Sequence, residues 1–465
     1  MRVELEVTAG AVMGERFVFA QHDTRIIGRS SKAHFQIVND PHFSRHHFMI
    51  EVNPPQCFLR DLSSMNGTLV NGERVTQIHL KDGDVIHGGK TEFRVHVDRS
   101  AAPATTIFPR TELTLPVPGM PQGERMTSMQ TRLLTDVLRR GTPGKLVCAV
   151  CGKPARDSLL GEFTDTALIV HVCPKCCKKK RDDTHPVPDF EVLGTLGEGE
   201  LGTVYRARHE PTEEIVALKI LPPAFRSDRR IVELFFREMQ ETARLSHPSL
   251  VALLGLGEAG DDLWIASEFV DGVDAAGLAE QLGGTVPMHD AVDIVCQVLR
   301  ALNYVHAHGV VHGDVKPSNI LVAGSAGAYT AKLTDLGLVR NVDLAGLSGI
   351  TREGDARGAV PFMPPERVMD CRHATSRSDI YQAGASLYWL LTGQFAYDFE
   401  RENARGDRVD PFLVILEDAI VPLQERNAEL PKPLADAVGK SLARDPADRF
   451  ATAKEMADAL RRAAP

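Results

Sequence analysis

Six short polar motifs, ordered along 170 residues, constrain this chain more than anything else in its sequence. They are Gly197-Glu198-Gly199-Glu200-Leu201-Gly202-Thr203-Val204, then Val216-Ala217-Leu218-Lys219, Glu238, His312-Gly313-Asp314-Val315-Lys316-Pro317-Ser318-Asn319, Asp335-Leu336-Gly337 and Pro364-Pro365-Glu366. Glycines 197, 199 and 202 lie between apolar strand residues and permit a hairpin whose backbone N–H groups can approach phosphate oxygens closely. Lys219 sits in the apolar strand Val216 to Leu221, where an unpaired ammonium is costly to bury, so it needs anions. Glu238 falls four residues after Leu234 and seven before Leu245, which puts a carboxylate on the apolar stripe of a helix, and it too needs a partner. Asp314, Asn319 and Asp335 supply hard oxygen ligands and an acceptor, the equipment of Mg-assisted phosphoryl transfer.

In this order and spacing the series resembles the signature set of bacterial-type Ser/Thr protein kinases, over residues 190–463. The resemblance implies an α+β bilobal kinase fold and transfer of the γ-phosphate of ATP to protein hydroxyls. It implies that Gly197, Gly199, Gly202 and Val204 cover the nucleotide, with Glu268 and Val270 at the hinge behind the small residue Ser267. Lys219 would pair with Glu238 and hold the α/β-phosphates, Asp314 would take the substrate proton, Lys316 would steady the γ-phosphate, and Asn319 and Asp335 would hold Mg²⁺. Lys316, two residues beyond Asp314, marks the Ser/Thr rather than the tyrosine version of this loop. Arg449 is expected to pair with Glu366. Three positions depart from the family. Gly313 replaces the arginine that receives an activation-loop phosphate, Leu336 replaces a phenylalanine, and Ala359 stands where a threonine bonds the catalytic Asp and Lys. These departures keep a second reading open, a catalytically weak kinase-fold scaffold that binds phosphoproteins.

Four of the eight cysteines form Cys148-x-x-Cys151 and, after 21 residues, Cys173-x-x-Cys176. Two such knuckles can close on one tetrahedral ion, so a structural Zn²⁺ in a small zinc ribbon over 146–181 is expected, with a redox dithiol as the alternative. The nearby Lys175, Lys178, Lys179, Lys180 and Arg181 offset the negative charge of four thiolates on zinc. No aromatic residues are interleaved for base stacking, so nucleic acid is not an expected partner.

Residues 1–98 carry short apolar or alternating runs separated by Asn-Gly, Asp-Gly and Pro-containing turns, the pattern of an all-β sandwich. At its turns stand Gly28-Arg29-Ser30, Ser44-Arg45-His46-His47 and Asp61-Leu62-Ser63-Ser64-Met65-Asn66-Gly67-Thr68. This series is similar to the forkhead-associated (FHA) family, a phosphothreonine-binding sandwich. A phosphate dianion asks for a guanidinium and neutral donors on rigid loops, and Arg29, Ser44, Arg45 and Asn66 are that set. The resemblance implies that His47 braces the loop carrying the serine; Met65 stands where a small hydroxyl residue often precedes the asparagine. Residues 99–145 form a Pro- and Thr-rich linker with one helical candidate near Thr127 to Arg140, and its threonines are candidate substrates of the chain's own kinase.

A chain of 465 residues exceeds what one core organises, which fits a multidomain protein of FHA-like sandwich, zinc ribbon and kinase domain (190–463). A net charge of -9 argues against bulk affinity for nucleic acid or anionic membranes. The longest charge-free window, Ile380 to Tyr397, contains Gln382, Ser386, Thr392, Gln394 and two glycines, and reads as a buried helix rather than a membrane span. With no signal-peptide pattern at the N-terminus, the expected compartment is the cytoplasm. The expected partners are protein substrates with Ser/Thr acceptors and phosphothreonine-containing proteins, its own phosphorylated linker included.

Overall fold

The structure, a computed structural model, describes residues 2–19, 23–53, 56–98, 148, 153, 169–180, 186–199, 202–221, 229–260, 262–336, 359–370, 374–403 and 406–464. The linker with its helical candidate, Cys151, Gly337 and the side chain of Glu238 lie outside the described residues. Residues 1–120 with 350–449 form one compact unit, and residues 121–349 with 450–465 form another.

The first unit contains the sandwich. One sheet has the order β2-β1-β11-β10-β7-β8, from β1 (Arg2–Ala9), β2 (Arg16–Phe19), β7 (Thr68–Val70), β8 (Glu73–Val75), β10 (Val85–Gly88) and β11 (Thr91–Asp98). The other has the order β4-β3-β5-β6-β9, from β3 (Asp23–Gly28), β4 (Phe35–Gln36), β5 (Phe48–Asn53), β6 (Gln56–Asp61) and β9 (Gln77–His79). Alternation sets which side chains face inward: Val3, Leu5 and Val7 are buried on β1 and meet Phe48, Ile50, Phe93 and Val95 in one core. Edge-to-face contacts of Phe43 with Phe48 and Phe93 tie the Ser44 loop to that core, with ring centroids 6.0 and 6.2 Å apart.

Among the described residues, the same unit holds five α-helices of the kinase segment: Pro365–Met369, Ser376–Thr392, Pro411–Glu417, Leu423–Arg426 and Lys432–Ser441. Most of the charge-free window, Ile380 to Thr392, lies in the buried helix Ser376–Thr392. Thr375 and Ser378 close a capping box at its start, and Gly393 ends it in the left-handed conformation at φ 67°. A Cβ at Gly384 would meet Ser441 Oγ at 1.9 Å, so this glycine lets the Ser376–Thr392 and Lys432–Ser441 helices approach closely. Arg449 forks onto Glu366 through two 2.7 Å bonds and lies over the Tyr381 ring, as the family resemblance implies.

The second unit is built on a six-stranded sheet of order β12-β16-β17-β15-β14-β13: β12 (Ile169–Val172), β13 (Phe190–Gly199), β14 (Gly202–His209), β15 (Glu214–Leu221), β16 (Leu253–Ala259) and β17 (Asp262–Glu268). All neighbours are antiparallel except β12, which pairs in parallel with β16. The strand of the cysteine segment therefore completes the kinase sheet, and Cys148, Val172 and Cys177 join its core beside Phe190, Leu218 and Trp264. The helix Arg229–Thr242 carries Glu238. Helices Ala275–Gln281, Met288–Ala307 and Ala453–Ala463 and the small sheet β18 (Val273–Asp274), β19 (Ile320–Ala323) and β20 (Thr330–Leu333) complete the unit. Among the described residues no helix is long and apolar enough to cross a membrane.

Candidate active site and phosphate-reading face

The second unit encloses a cavity of about 520 Å³, whose lining includes Gly197, Val204, Lys219, Glu268, Val270, Asn319 and Asp335. Seven residues expected to serve nucleotide or metal thus meet in one place. Gly199 and Gly202 pair across the tip of the β13–β14 hairpin outside that lining. At Gly202 the backbone has φ 106° and a Cβ would lie 1.9 Å from the Ile220 carbonyl oxygen, so only glycine fits. Among the described residues, nothing lies within 4 Å of where a Cβ would stand on Gly197 or Gly199.

Lys219 Nζ contacts Asp335 Oδ2 at 2.8 Å, with both side chains mostly buried. The resemblance pairs this lysine with Glu238, whose side chain lies outside the described residues; among the described residues its carboxylate partner is Asp335, which adopts a left-handed backbone at φ 62°, unusual for a non-glycine residue. In the loop before β19, His312 Nε2 lies 2.8 Å from the Thr334 carbonyl, and His312 Nδ1 accepts from the Asp314 N–H at 3.2 Å. One partner only accepts and the other only donates, which fixes the neutral Nε2–H tautomer. Asn319 Nδ2 donates to the Asp314 carbonyl at 2.8 Å and to Asp314 Oδ2 at 2.9 Å. Lys316 Nζ stands 2.8 Å from the same Oδ2. The Asp314 carboxylate is thereby oriented by two donors, and Gly313 takes a left-handed φ of 79° that glycine adopts freely.

Sequence reasoning missed Lys332. Its ammonium holds both Glu268 carboxylate oxygens, at 2.6 and 2.8 Å, while Glu268 Oε2 accepts from the Ala252 N–H. The Glu268 side chain is thus occupied by protein groups, and its N–H donates to the Ala252 carbonyl at 2.8 Å. Nothing in the sequence marks Lys332 out, because the carboxylate that it holds lies 64 residues earlier in the chain.

On the sandwich, Arg29, Ser44, Arg45 and Met65 line a cavity of about 320 Å³. Ser44 Oγ accepts from the Met65 N–H at 2.9 Å, and Asn66 Nδ2 donates to the His42 carbonyl at 2.7 Å, so the two loops hold each other. His47 Nδ1 accepts from the Ser44 N–H at 3.0 Å, bracing the serine as the resemblance implies. Burial lowers the His47 pKa to about 4, against the opposing pull of Asp61 and Asp40, so the brace is a neutral imidazole. Asp61 fixes the second loop by accepting from the Ser64 N–H and from the Ser64 and Thr68 hydroxyls.

The sulfurs of Cys148, Cys173 and Cys176 lie within 4.8 Å of one another, and Cys173 N–H donates to Cys148 Sγ at 3.4 Å. After β12 the chain enters the helix Pro174–Lys180, which carries Cys176. His171 Nδ1 is 2.5 Å from Glu258 Oε1 and both side chains are buried, so this histidine stabilises the β12–β16 pair.

Residues 190–460 match the protein kinase domain and residues 25–89 match the FHA domain. The chain belongs to the protein kinase family and carries an FHA domain. It is 34% identical over 270 residues to the serine/threonine-protein kinase PknD of Mycobacterium tuberculosis, covering 58% of this chain and 38% of that one. It is 30% identical over 269 residues to the serine/threonine-protein kinase PrkC of Bacillus subtilis, covering 57% and 39%. The chain therefore spans about two fifths of the length of these relatives. The crystal structure of the Mycobacterium tuberculosis PknI kinase domain superposes with a TM-score of 0.46 at 26% identity, covering 61% of this chain and all of that domain.

Proposed function

We propose that this chain is a protein Ser/Thr kinase that uses ATP and Mg²⁺ and reads phosphothreonine through its FHA domain. The observation that carries the reading is the Asp314–Lys316–Asn319 cluster, with Asn319 facing the same cavity as the Lys219–Asp335 pair. Asp314 is the acceptor for the proton of the substrate hydroxyl, and Lys316 offers its charge beside it. Lys219 would hold phosphate oxygens, and Asp335 would be among the residues that hold the metal ion. The donor set suits Mg²⁺: because Asn319 Nδ2 is committed to Asp314, its Oδ1 is left as a hard oxygen donor, and Asp335 adds a carboxylate. Bound there, the ion neutralises charge on the transferring phosphoryl group.

Asp314→Asn should lower phosphate transfer from labelled ATP to a generic basic protein by at least about 100-fold while nucleotide binding persists. Transfer at the wild-type rate would reject the assignment. Phosphosite mapping in the same experiment tests whether the linker threonines (Thr105, Thr106, Thr111, Thr114, Thr127, Thr131, Thr135 and Thr142) are substrates. The relatives are named as kinases, which gives the weak-scaffold reading no support.

The three gathered sulfurs favour a structural Zn²⁺ held by Cys148, Cys173, Cys176 and Cys151. A tetrahedral ion with Zn–S bonds of about 2.3 Å needs sulfurs roughly 3.8 Å apart, within the spread seen here. The proposed place of action is the cytoplasm, where ATP is at hand and thiolates stay reduced.

A further inference from the structure

Part of the wall of the phosphate-reading cavity comes from the kinase segment of the same unit, through Asn403, Leu413 and Glu417. Glu417 Oε2 lies 2.5 Å from Arg45 Nη2, and Glu417 Oε1 lies 3.0 Å from His46 Nδ1. At the other end of the Pro411–Glu417 helix, Asp410 Oδ2 accepts from Arg60 Nε at 2.8 Å, and the Asp410 N–H donates to Ser63 Oγ at 2.7 Å. Arg60 also lies over the Phe412 ring, 4.9 Å from its centroid. The helix is thus fastened at both ends to the loops that read phosphate and to β6.

An acidic residue in the last turn of a helix opposes the helix dipole, and this helix has no basic residue there to offset it. Glu417 is compensated from outside the helix, chiefly by the sandwich and also by the charge of Arg401. The hydrogen bond from His46, and then the charge of Arg45, hold its carboxyl below the usual carboxylate range, so it stays ionised. An anion with two oxygens therefore rests on Arg45, a residue suited to phosphate.

We propose that Glu417 is a built-in stand-in for phosphate, which makes the Pro411–Glu417 helix and a phosphothreonine peptide mutually exclusive occupants of one face. The inference rests on the phosphothreonine reading of that face. Glu417 leaves part of the set unengaged: Arg29 gives its Nε to the Phe43 carbonyl, and Ser44 Oγ accepts from Met65, with no bond from either to Glu417 among the described residues. A phosphate dianion can meet Arg29 first and then displace the monoanionic carboxylate from Arg45, because it brings more charge and one more acceptor oxygen. Until then the closed form lowers the apparent affinity by the fraction of open protein.

The test uses the full-length, phosphatase-treated protein and a fluorescent pool of peptides with a fixed phosphothreonine in random sequence. Glu417→Gln and Glu417→Lys should each bind the pool about fivefold or more tighter than wild type, and adding Arg29→Ala should remove the gain. Amide exchange of residues 44–47 and 63–66, read without peptide, should rise in both Glu417 variants. Equal affinity of wild type and Glu417→Gln, with binding lost in Arg29→Ala, would overturn the stand-in and leave the phosphothreonine reading intact. If no variant binds the pool although exchange rises, the contact is real but the phosphate reading fails, and the stand-in role fails with it.

Discussion

His47 sets how the Ser44 loop responds to acid. Its folded pKa of about 4 lies below the ordinary 6.5, so between these values the unfolded chain binds a proton that the folded one refuses. The stability contributed by the neutral brace is complete above pH 6.5 and declines as pH falls towards 4. About 2 kcal/mol is lost by pH 5. His34, lowered by burial as well, acts with the same sign. Exchange protection of the Phe48–Asn53 amides, corrected for intrinsic rates, should fall accordingly between pH 7 and 5, and His47→Gln should flatten the slope. Protection that ignores pH in the unaltered protein would show that the imidazole is not buried neutral.

Elements meet where glycines allow them to. At Gly28 a Cβ would stand 2.0 Å from the Arg45 carbonyl oxygen. The Arg29 and Ser30 N–H groups donate to the Ser44 and Arg45 carbonyls at 2.9 and 3.0 Å. Gly28→Ala should push the two loops apart, costing about 2 kcal/mol of sandwich stability and at least tenfold in phosphopeptide affinity. Thermal melting and peptide titration would read the two effects; a variant that keeps both would mean that the loops have slack. The strands were legible because buried and exposed residues alternate on β1 and β11, and the catalytic loop because its polar residues have no other use at that spacing. Lys332 and Glu417 were not legible, since each acts on a partner at least 64 residues away in sequence. Nor did the cysteine spacing reveal that β12 would pair with β16, because a four-residue apolar strand looks the same in a ribbon as at a sheet edge.

At the scale of the molecule, the strand that leads into the cysteine cluster belongs to the kinase sheet. Purified protein should hold about one zinc per chain, and chelation should raise exchange along β12 and β16 before it reaches the sandwich. Zinc well below half an equivalent, with thiols that titrate readily, would favour the redox alternative. The matched kinase region begins at residue 190, after β12 has ended. A protein trimmed to that boundary would bare the β16 edge, a row of unpaired N–H and C=O groups ready to pair with another copy. The matched kinase region and the sheet therefore end at different places, and β12 blunts an edge along which one sheet could otherwise grow into the next.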